Sequence, residues 1–223
     1  MDAFRFWVGL LLVIGLPPGL GWWLFVHPFV GFWRRLGAKV TMAVMTVFFI
    51  ASVGGLATIR GALMGRDLGT SPVLIAAGIV LIGAGAWVSR KRRKYLTTSI
   101  LVGVPEVQTD EGKRGELLDR GAYAIIRHPR YVEILLFTWG YAAVSNHTGP
   151  YFLAVLAFPF LHGVVLLEER ELEDRFGDAY RQYCRRVPRY IPRRPWSGPR
   201  GQARSGGATQ APVAGERHGR LHS

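Results

Sequence analysis

The chain has 223 residues and a single cysteine, Cys184. An internal disulfide is impossible, and so is a cluster of thiolates around a metal. Acidic residues are few, 15 against 28 Lys and Arg. No H-E-x-x-H zinc motif, P-loop, G-x-S-x-G elbow or dinucleotide glycine pattern occurs in a suitable context. Zinc hydrolysis, nucleotide hydrolysis and serine acyl transfer therefore have no residues to rest on, and no metal site is expected. The net charge of +13 would suit nucleic acid. Basic residues that collect on one side of a membrane and meet anionic lipid explain it better. Membrane lipids are thus the expected partner, and nucleic acid is not.

What the chain does have is apolar sequence, 49% of its residues. It comes in blocks of roughly 17–25 residues, the length that crosses a bilayer core. Spans are predicted at about 4–33, 40–59, 72–88, 131–144 and 151–167. Pro17-Pro18-Gly19 interrupts the first. A single kinked crossing is favoured there over a re-entrant hairpin. The fourth is short and is expected to be tilted or only partly to cross. Gly83-Ala84-Gly85 in the third is read as a helix-packing surface rather than a ligand loop. The fold class is all-α, a polytopic membrane helix bundle of about five transmembrane helices.

The organisation falls into a three-span region (1–94), a region with a long polar loop and a helical hairpin (95–196), and a Gly-, Ser- and Arg-rich tail (197–223) read as disordered. Beyond the fifth span Leu172, Phe176, Ala179, Tyr180 and Tyr183 form one apolar stripe of a helix. Gly177 is a possible cap between two shorter helices. With the N-terminus outside and five crossings, 25 of the 28 Lys and Arg face the cytoplasm. The opposite orientation inverts that ratio, so the positive-inside rule selects this one.

Two polar clusters stand at the cytoplasmic boundary. One is Gly121 to Tyr131, with Tyr123, Arg127, His128 and Tyr131; the other is Glu168-Glu169. A Pro directly after His128 disfavours helix at that point. Polar, non-helical backbone at membrane depth is tolerated where it lines a cavity, so a charged small molecule is the expected occupant. Interfacial anchoring and solvated acids are the plainer alternatives. Glu133, an acid entering a span, is a functional candidate by default. An ion pair with Arg130 or Arg127 accounts for it equally well.

Taken together the clusters resemble a family. Arg127-His128-Pro129-Arg130-Tyr131 is followed by Glu168-Glu169-Arg170, Phe176-Gly177, Tyr180, Tyr183, Val187-Pro188-Arg189 and Pro192. This pattern, over roughly residues 105–193, is similar to that of the integral membrane methyltransferases, the isoprenylcysteine carboxyl methyltransferases and related phospholipid N-methyltransferases. The resemblance implies an enzyme that uses S-adenosyl-L-methionine and methylates a lipid-like or hydrophobic acceptor. It implies a cytoplasmic cofactor pocket formed by the 95–131 loop and the C-terminal helix. The family's cofactor positions fall on Gln108, Gly115, Glu116, Leu117, Leu118, Tyr123, His128, Pro129, Arg130, Tyr131, Glu168 and Glu169. Glu168 would meet the donor's positive charge and His128 its carboxylate or nucleoside, from opposite walls. Arg127 and Glu133 are the candidates for a catalytic role.

The chain departs from the carboxyl methyltransferases at two places. Val164 stands where they carry an Arg that holds the substrate carboxylate, and Glu133 stands where a small residue is usual. Both departures concern the acceptor and neither touches the donor residues. The location implied is a multi-pass protein of the plasma or inner membrane, with active site and C-terminus cytoplasmic. The competing class is an NADPH-dependent reductase of the sterol type, which carries a similar R-H-P-x-Y motif. Oligomeric state is open.

Overall fold

A computed structural model describes residues 1–26, 29–93 and 117–193. Gln108, Gly115 and Glu116 lie outside the described residues, as does the tail 197–223. The described residues are helical: α1 Asp2–Val26, α2 Val30–Leu36, α3 Ala38–Thr58, α4 Arg60–Met64, α5 Pro72–Arg93, a 3-10 turn Gly121–Ala124, α6 Pro129–Ser145, α7 Thr148–Phe176 and α8 Asp178–Arg186. This is a polytopic helical membrane protein. Leu11, Val47, Ile50, Val80, Phe152 and Val155 point outward, each more than half exposed, as a bilayer requires.

Among the described residues four helices, α1, α3, α5 and α7, are long and apolar enough to cross a membrane. Five spans are expected from the sequence, and α6 makes the difference. It has 17 residues, about 26 Å of helix. It packs against α5, α1 and α7 and buries Tyr131, Glu133, Thr138, Gly140 and Ala142 to Ser145. A helix enclosed by neighbours need not be apolar on every face. That is why its sequence signal is the weakest of the set.

Local sequence explains the main elements. α1 runs unbroken through Pro17 and Pro18, the single crossing favoured above. Neighbouring helices and local adjustment can absorb the missing donors in a membrane helix. Pro72 opens α5 in its first turn, where its absent N–H costs nothing. α5 and α6 meet backbone to backbone: a Cβ on Gly78 would lie 2.6 Å from the Gly140 carbonyl oxygen. Gly85 also packs on α6, against Leu136 and Phe137, whereas Gly83 faces open space. The packing reading of the G-A-G run thus holds for its second glycine.

α7 has 29 residues, about 44 Å of helix, so it outruns a bilayer core and emerges still helical. Gly177 ends it at φ 55°, and α8 starts one residue later. Tyr180 and Tyr183 of α8 bury with Val187, and Leu117, Leu172 and Phe176 pack around them. Ala179 of the expected stripe is exposed. The restart at Gly177 shifts the helical phase, so periodicity read across it fails at that residue.

The up-and-down course leaves two polar ends. At one, the α4–α5 segment is clasped to the α6–α7 turn. Leu68 N–H donates to the Asn146 carbonyl and Thr148 N–H to that of Arg66, both at 3.0 Å. Asn146 sits in the left-handed region at φ 50° and sends its side-chain amide to the Gly69 carbonyl at 2.8 Å. Arg5 of α1 is fully buried there and donates to Asp67, to Thr70 at 2.9 Å and to Asp2 at 3.1 Å. The other end holds the residues singled out in the sequence.

Candidate functional site

The site begins with an exchange between two backbone stretches far apart in sequence. Arg127 N–H donates to the Pro188 carbonyl at 2.9 Å, and His128 N–H to that of Arg189 at 3.2 Å. Pro129 is the first residue of α6, so Arg127 and His128 precede the helix and have donors to spare. Val187-Pro188-Arg189, just after α8, supplies the acceptors. The R-H-P and V-P-R motifs are thereby two sides of one joint.

The acids of α7 project into this joint. Glu169 is its hub. It takes a two-pronged contact from Arg189, with Nε at 3.0 Å and Nη2 on the second oxygen. Arg127 Nη1 lies 3.2 Å from it and His128 Nε2 3.0 Å. Hydrogen bonding to Glu169 in turn holds the Arg189 guanidinium above its usual range. Arg127 also reaches the Cys184 thiol.

Glu168 is placed differently. It accepts from the Tyr131 hydroxyl, and its other oxygen lies 3.8 Å from His128 Nδ1. Its side chain is 24% exposed against 12% for Glu169, so Glu168 is the more accessible of the two. His128 and Tyr131 are themselves buried. Glu168 and His128 were expected on opposite walls of a pocket; the structure puts them in direct contact. Acids and bases at a boundary of low dielectric pair with one another where they can.

Around this core the remaining predicted residues take structural positions. Tyr123, in the 3-10 turn, accepts at its carbonyl from the Tyr183 hydroxyl at 2.7 Å. Burial pushes its own hydroxyl up to about 12, with Arg92 and Arg130 pulling the other way. Leu117 packs into the α8 cluster; Leu118 and Arg130 are half-buried, and Pro129 is buried. Glu133 does not pair with Arg130 or Arg127. Its partner is Arg92, in the last turn of α5, with Nε at 2.9 Å and Nη2 at 3.4 Å. The two helices cross so closely at Gly78 and Gly140 that their ends stay adjacent, and α5 delivers its buried Arg to the acid.

Among the described residues, Arg127 Nε, the Tyr180 hydroxyl and, beside Glu133, Arg92 Nη1 are buried at the site without a hydrogen-bond partner. Such atoms are costly inside a protein and mark places that polar ligands complete. Sequence reasoning assigned no role to Arg189, Tyr190, Arg92 or His162. Arg189 had a signal, its place in the V-P-R motif. The others had none beyond residue type.

Residues 73–179 match the phospholipid methyltransferase family. Three curated proteins are similar over shorter stretches. A protein-S-isoprenylcysteine O-methyltransferase of Schizosaccharomyces pombe is 30% identical over 44% of this chain and 44% of its own length. Methanethiol S-methyltransferase 1 of Bradyrhizobium diazoefficiens is 39% identical over 31% of this chain and 24% of its own. A Δ14-sterol reductase of Mus musculus is 29% identical over 45% of this chain and 24% of its own. The chain spans less than half the length of these relatives. No solved structure matches. The stretch from α5 to the start of α8, which carries the R-H-P side of the joint and its acids, thus matches the phospholipid methyltransferase family, in agreement with the resemblance read from the motifs.

Proposed function

We propose that this protein transfers a methyl group from S-adenosyl-L-methionine to a lipid-like or hydrophobic acceptor at the cytoplasmic boundary of the plasma or inner membrane. The observation that carries this reading is the convergence of Arg127, His128, Glu168 and Glu169, all inside the family-matching segment, with Arg189 just beyond it on one joint. The methyltransferase relatives support it.

The residues fit the donor's chemistry. S-adenosylmethionine is zwitterionic at its amino-acid end and carries a sulfonium, from which it supplies an electrophilic methyl group. Glu168, steadied by Tyr131, suits the cationic part. His128, Arg130 and the unpartnered Arg127 Nε suit a carboxylate or nucleoside. Glu169 stays engaged with Arg127 and Arg189, so its part is to hold the joint in shape. Arg92 and Glu133 do the same for the ends of α5 and α6. Arg127 and Glu133 thus act by positioning. Alignment of the reacting groups is worth up to about 7–11 kcal/mol of barrier. The buried Tyr180, Tyr183 and Val187 cluster keeps water out behind the joint. The positive-inside count supports a cytoplasmic position for this end, where a polar donor would arrive while the acceptor arrives from lipid.

The similarity to a sterol reductase keeps one second reading, an NADPH-dependent membrane reductase. Titration of the detergent-purified protein with S-adenosylmethionine, its demethylated product and NADPH decides between them. Saturable binding of the first two, without NADPH, is the expected result. Binding of NADPH alone would establish the reductase.

A further inference from the structure

Between Tyr151 and Glu168, its membrane-embedded stretch, α7 carries one titratable side chain, His162, and the donor site does not use it. His162 lies six residues before Glu168, about 9 Å further into the membrane along the helix. Ionisable residues at that depth are expensive, and they mark pathways and proton relays. Its Nδ1 is hydrogen-bonded to the Tyr190 hydroxyl at 2.8 Å. Among the described residues this is its one hydrogen bond. One face of the ring stacks on Phe158, which is 54% exposed on the outer surface of α7. Tyr190 stands between two histidines. Its ring centroid is 6.0 Å from that of His162 and 6.2 Å from that of His128. His162 is therefore a half-buried imidazole between the lipid-facing surface and the donor site, with Nδ1 held by Tyr190 and Nε2 without a hydrogen-bond partner among the described residues.

The surroundings narrow what it can do. At this depth α1 and α6 contribute Leu20, Trp23, Ile134 and Leu135, and α7 itself Leu161, Val164 and Val165. The titratable and charged groups nearby are Tyr190 and, beyond its ring, His128, Tyr131, Glu168, Glu169 and Arg189. Between Tyr131 and Leu167 the chain has no Lys or Arg. A carboxylate acceptor entering from lipid would meet no fixed cation there. A neutral acceptor with a proton to lose would meet an imidazole, the side chain suited to take protons near neutrality. Ordinary amines are cationic up to about pH 10 and would arrive charged, whereas a thiol arrives from lipid neutral and gives up its proton only as its sulfur attacks.

We propose that His162, oriented by Tyr190, is the base for the methyl acceptor, and that the acceptor is an apolar thiol. This rests on the methyltransferase reading above. In the step, the acceptor's S–H proton passes to His162 Nε2. The sulfur electron pair left behind forms the new bond to the methyl carbon. The pair of the broken carbon–sulfur bond stays on the donor's sulfur, which departs as a neutral thioether. Imidazolium then loses its proton to water.

The test uses the full chain in detergent with S-adenosylmethionine and three probes: octanethiol, octanoate, and 4-nitrothiophenol, which is already ionised at neutral pH. Octanethiol should be methylated and octanoate should not. His162→Asn should lower kcat for octanethiol about 10²–10⁴-fold at pH 7, with the loss shrinking as pH rises toward thiol ionisation. It should leave 4-nitrothiophenol within about threefold, and Tyr190→Phe should give a smaller loss of the same pattern. Without any donor, octanethiol should shift the NMR resonances of the His162 ring. Donor affinity by calorimetry should be unchanged in His162→Asn, which also reports that the variant folds. Equal losses on both thiols, or methylation of octanoate as readily as octanethiol, would overturn the proposal. Failure of the wild-type protein to bind the donor would overturn the methyltransferase reading and this proposal with it.

Discussion

The two polar ends of the bundle solve the same problem by different means. Each must satisfy helix ends and charged side chains at the edge of an apolar slab. At the clasp end backbone and glycine do most of the work, beside one buried charge, Arg5, paired with Asp67 and Asp2. Asn146 takes a left-handed conformation, Gly65 takes φ 65°, and Gly149 lies so close to α4 that a Cβ would be 1.7 Å from the Leu63 carbonyl oxygen. Backbone pairs join 66–68 to 146–148. The end that carries the R-H-P and V-P-R motifs is held mainly by side-chain charge gathered on one acid. Glu169 gathers Arg127, His128 and Arg189, and Glu168 stays partly open. A clasp of glycine and backbone has one arrangement. A cluster of side-chain acids and bases can exchange partners when a charged ligand arrives. The second is where binding is expected and the first is where stability is expected.

The sharpest way to break the comparison is Gly149→Ala. The added methyl has only backbone to push against, since its neighbours are the carbonyl of Leu63 and the main chain of Met64. The expected cost is at or beyond the upper end, about 3 kcal/mol, of overpacking penalties. Thermal melting in detergent should show it, with donor affinity of the surviving folded fraction unchanged. Weaker donor binding with an unchanged melt would reverse the assignment of the two ends.

The adjacent acids test the site end from within. Glu169→Gln strands three basic groups that share one carboxylate. Breaking a buried pair costs about 3–5 kcal/mol; Arg189 is a third exposed, so about 2–4 is expected here. Glu168→Gln removes a carboxylate held by a tyrosine and half open to the site. Its melt should stay within about 0.5 kcal/mol of wild type, while S-adenosylmethionine affinity falls at least about tenfold, or about 1.4 kcal/mol. The pair is informative because the residues are neighbours of the same chemistry. Equal melts and equal affinities for both variants would erase the division of labour between hub and ligand residue.

How much of this could be read in the chain depended on how local the cause was. The helices were legible because burial in lipid imprints long apolar blocks. α6 was the least legible because its neighbours, not lipid, surround it. The joint was legible as two motifs, R-H-P-x-Y and E-E with V-P-R downstream, since each lies on one short stretch. Partner choice was not. Glu133 pairs with Arg92 because α5 and α6 cross at Gly78 and Gly140, a register set by packing across 62 residues of sequence. Direct contact between Glu168 and His128 depends likewise on how α7 leans on α6. The clasp left almost no trace in the sequence, because Gly, Asn and Thr at a turn have many commoner explanations.

The last and smallest effect separates the ends by pH. Asp67, outside the spans, has its carboxyl held below the ordinary value of 3.8, first by the Arg5 hydrogen bond and then by the Gly69 N–H. A depressed folded-state pKa means the unfolded chain binds the proton more tightly. Its contribution is therefore fully present above about pH 4 and is lost as pH falls through the lower, folded value. Melting temperature followed from pH 6 to pH 3 should decline in wild type, and part of that decline should vanish in Asp67→Asn, which lacks the contribution at every pH. The donor affinity of Asp67→Asn at pH 7 should match wild type, since Asp67 belongs to the clasp and not to the joint. A variant whose acid decline equals that of wild type would place the acid-sensitive group at the other end, among the carboxylates of α7, and with it the argument that the clasp is the end built for stability would lose its electrostatic half.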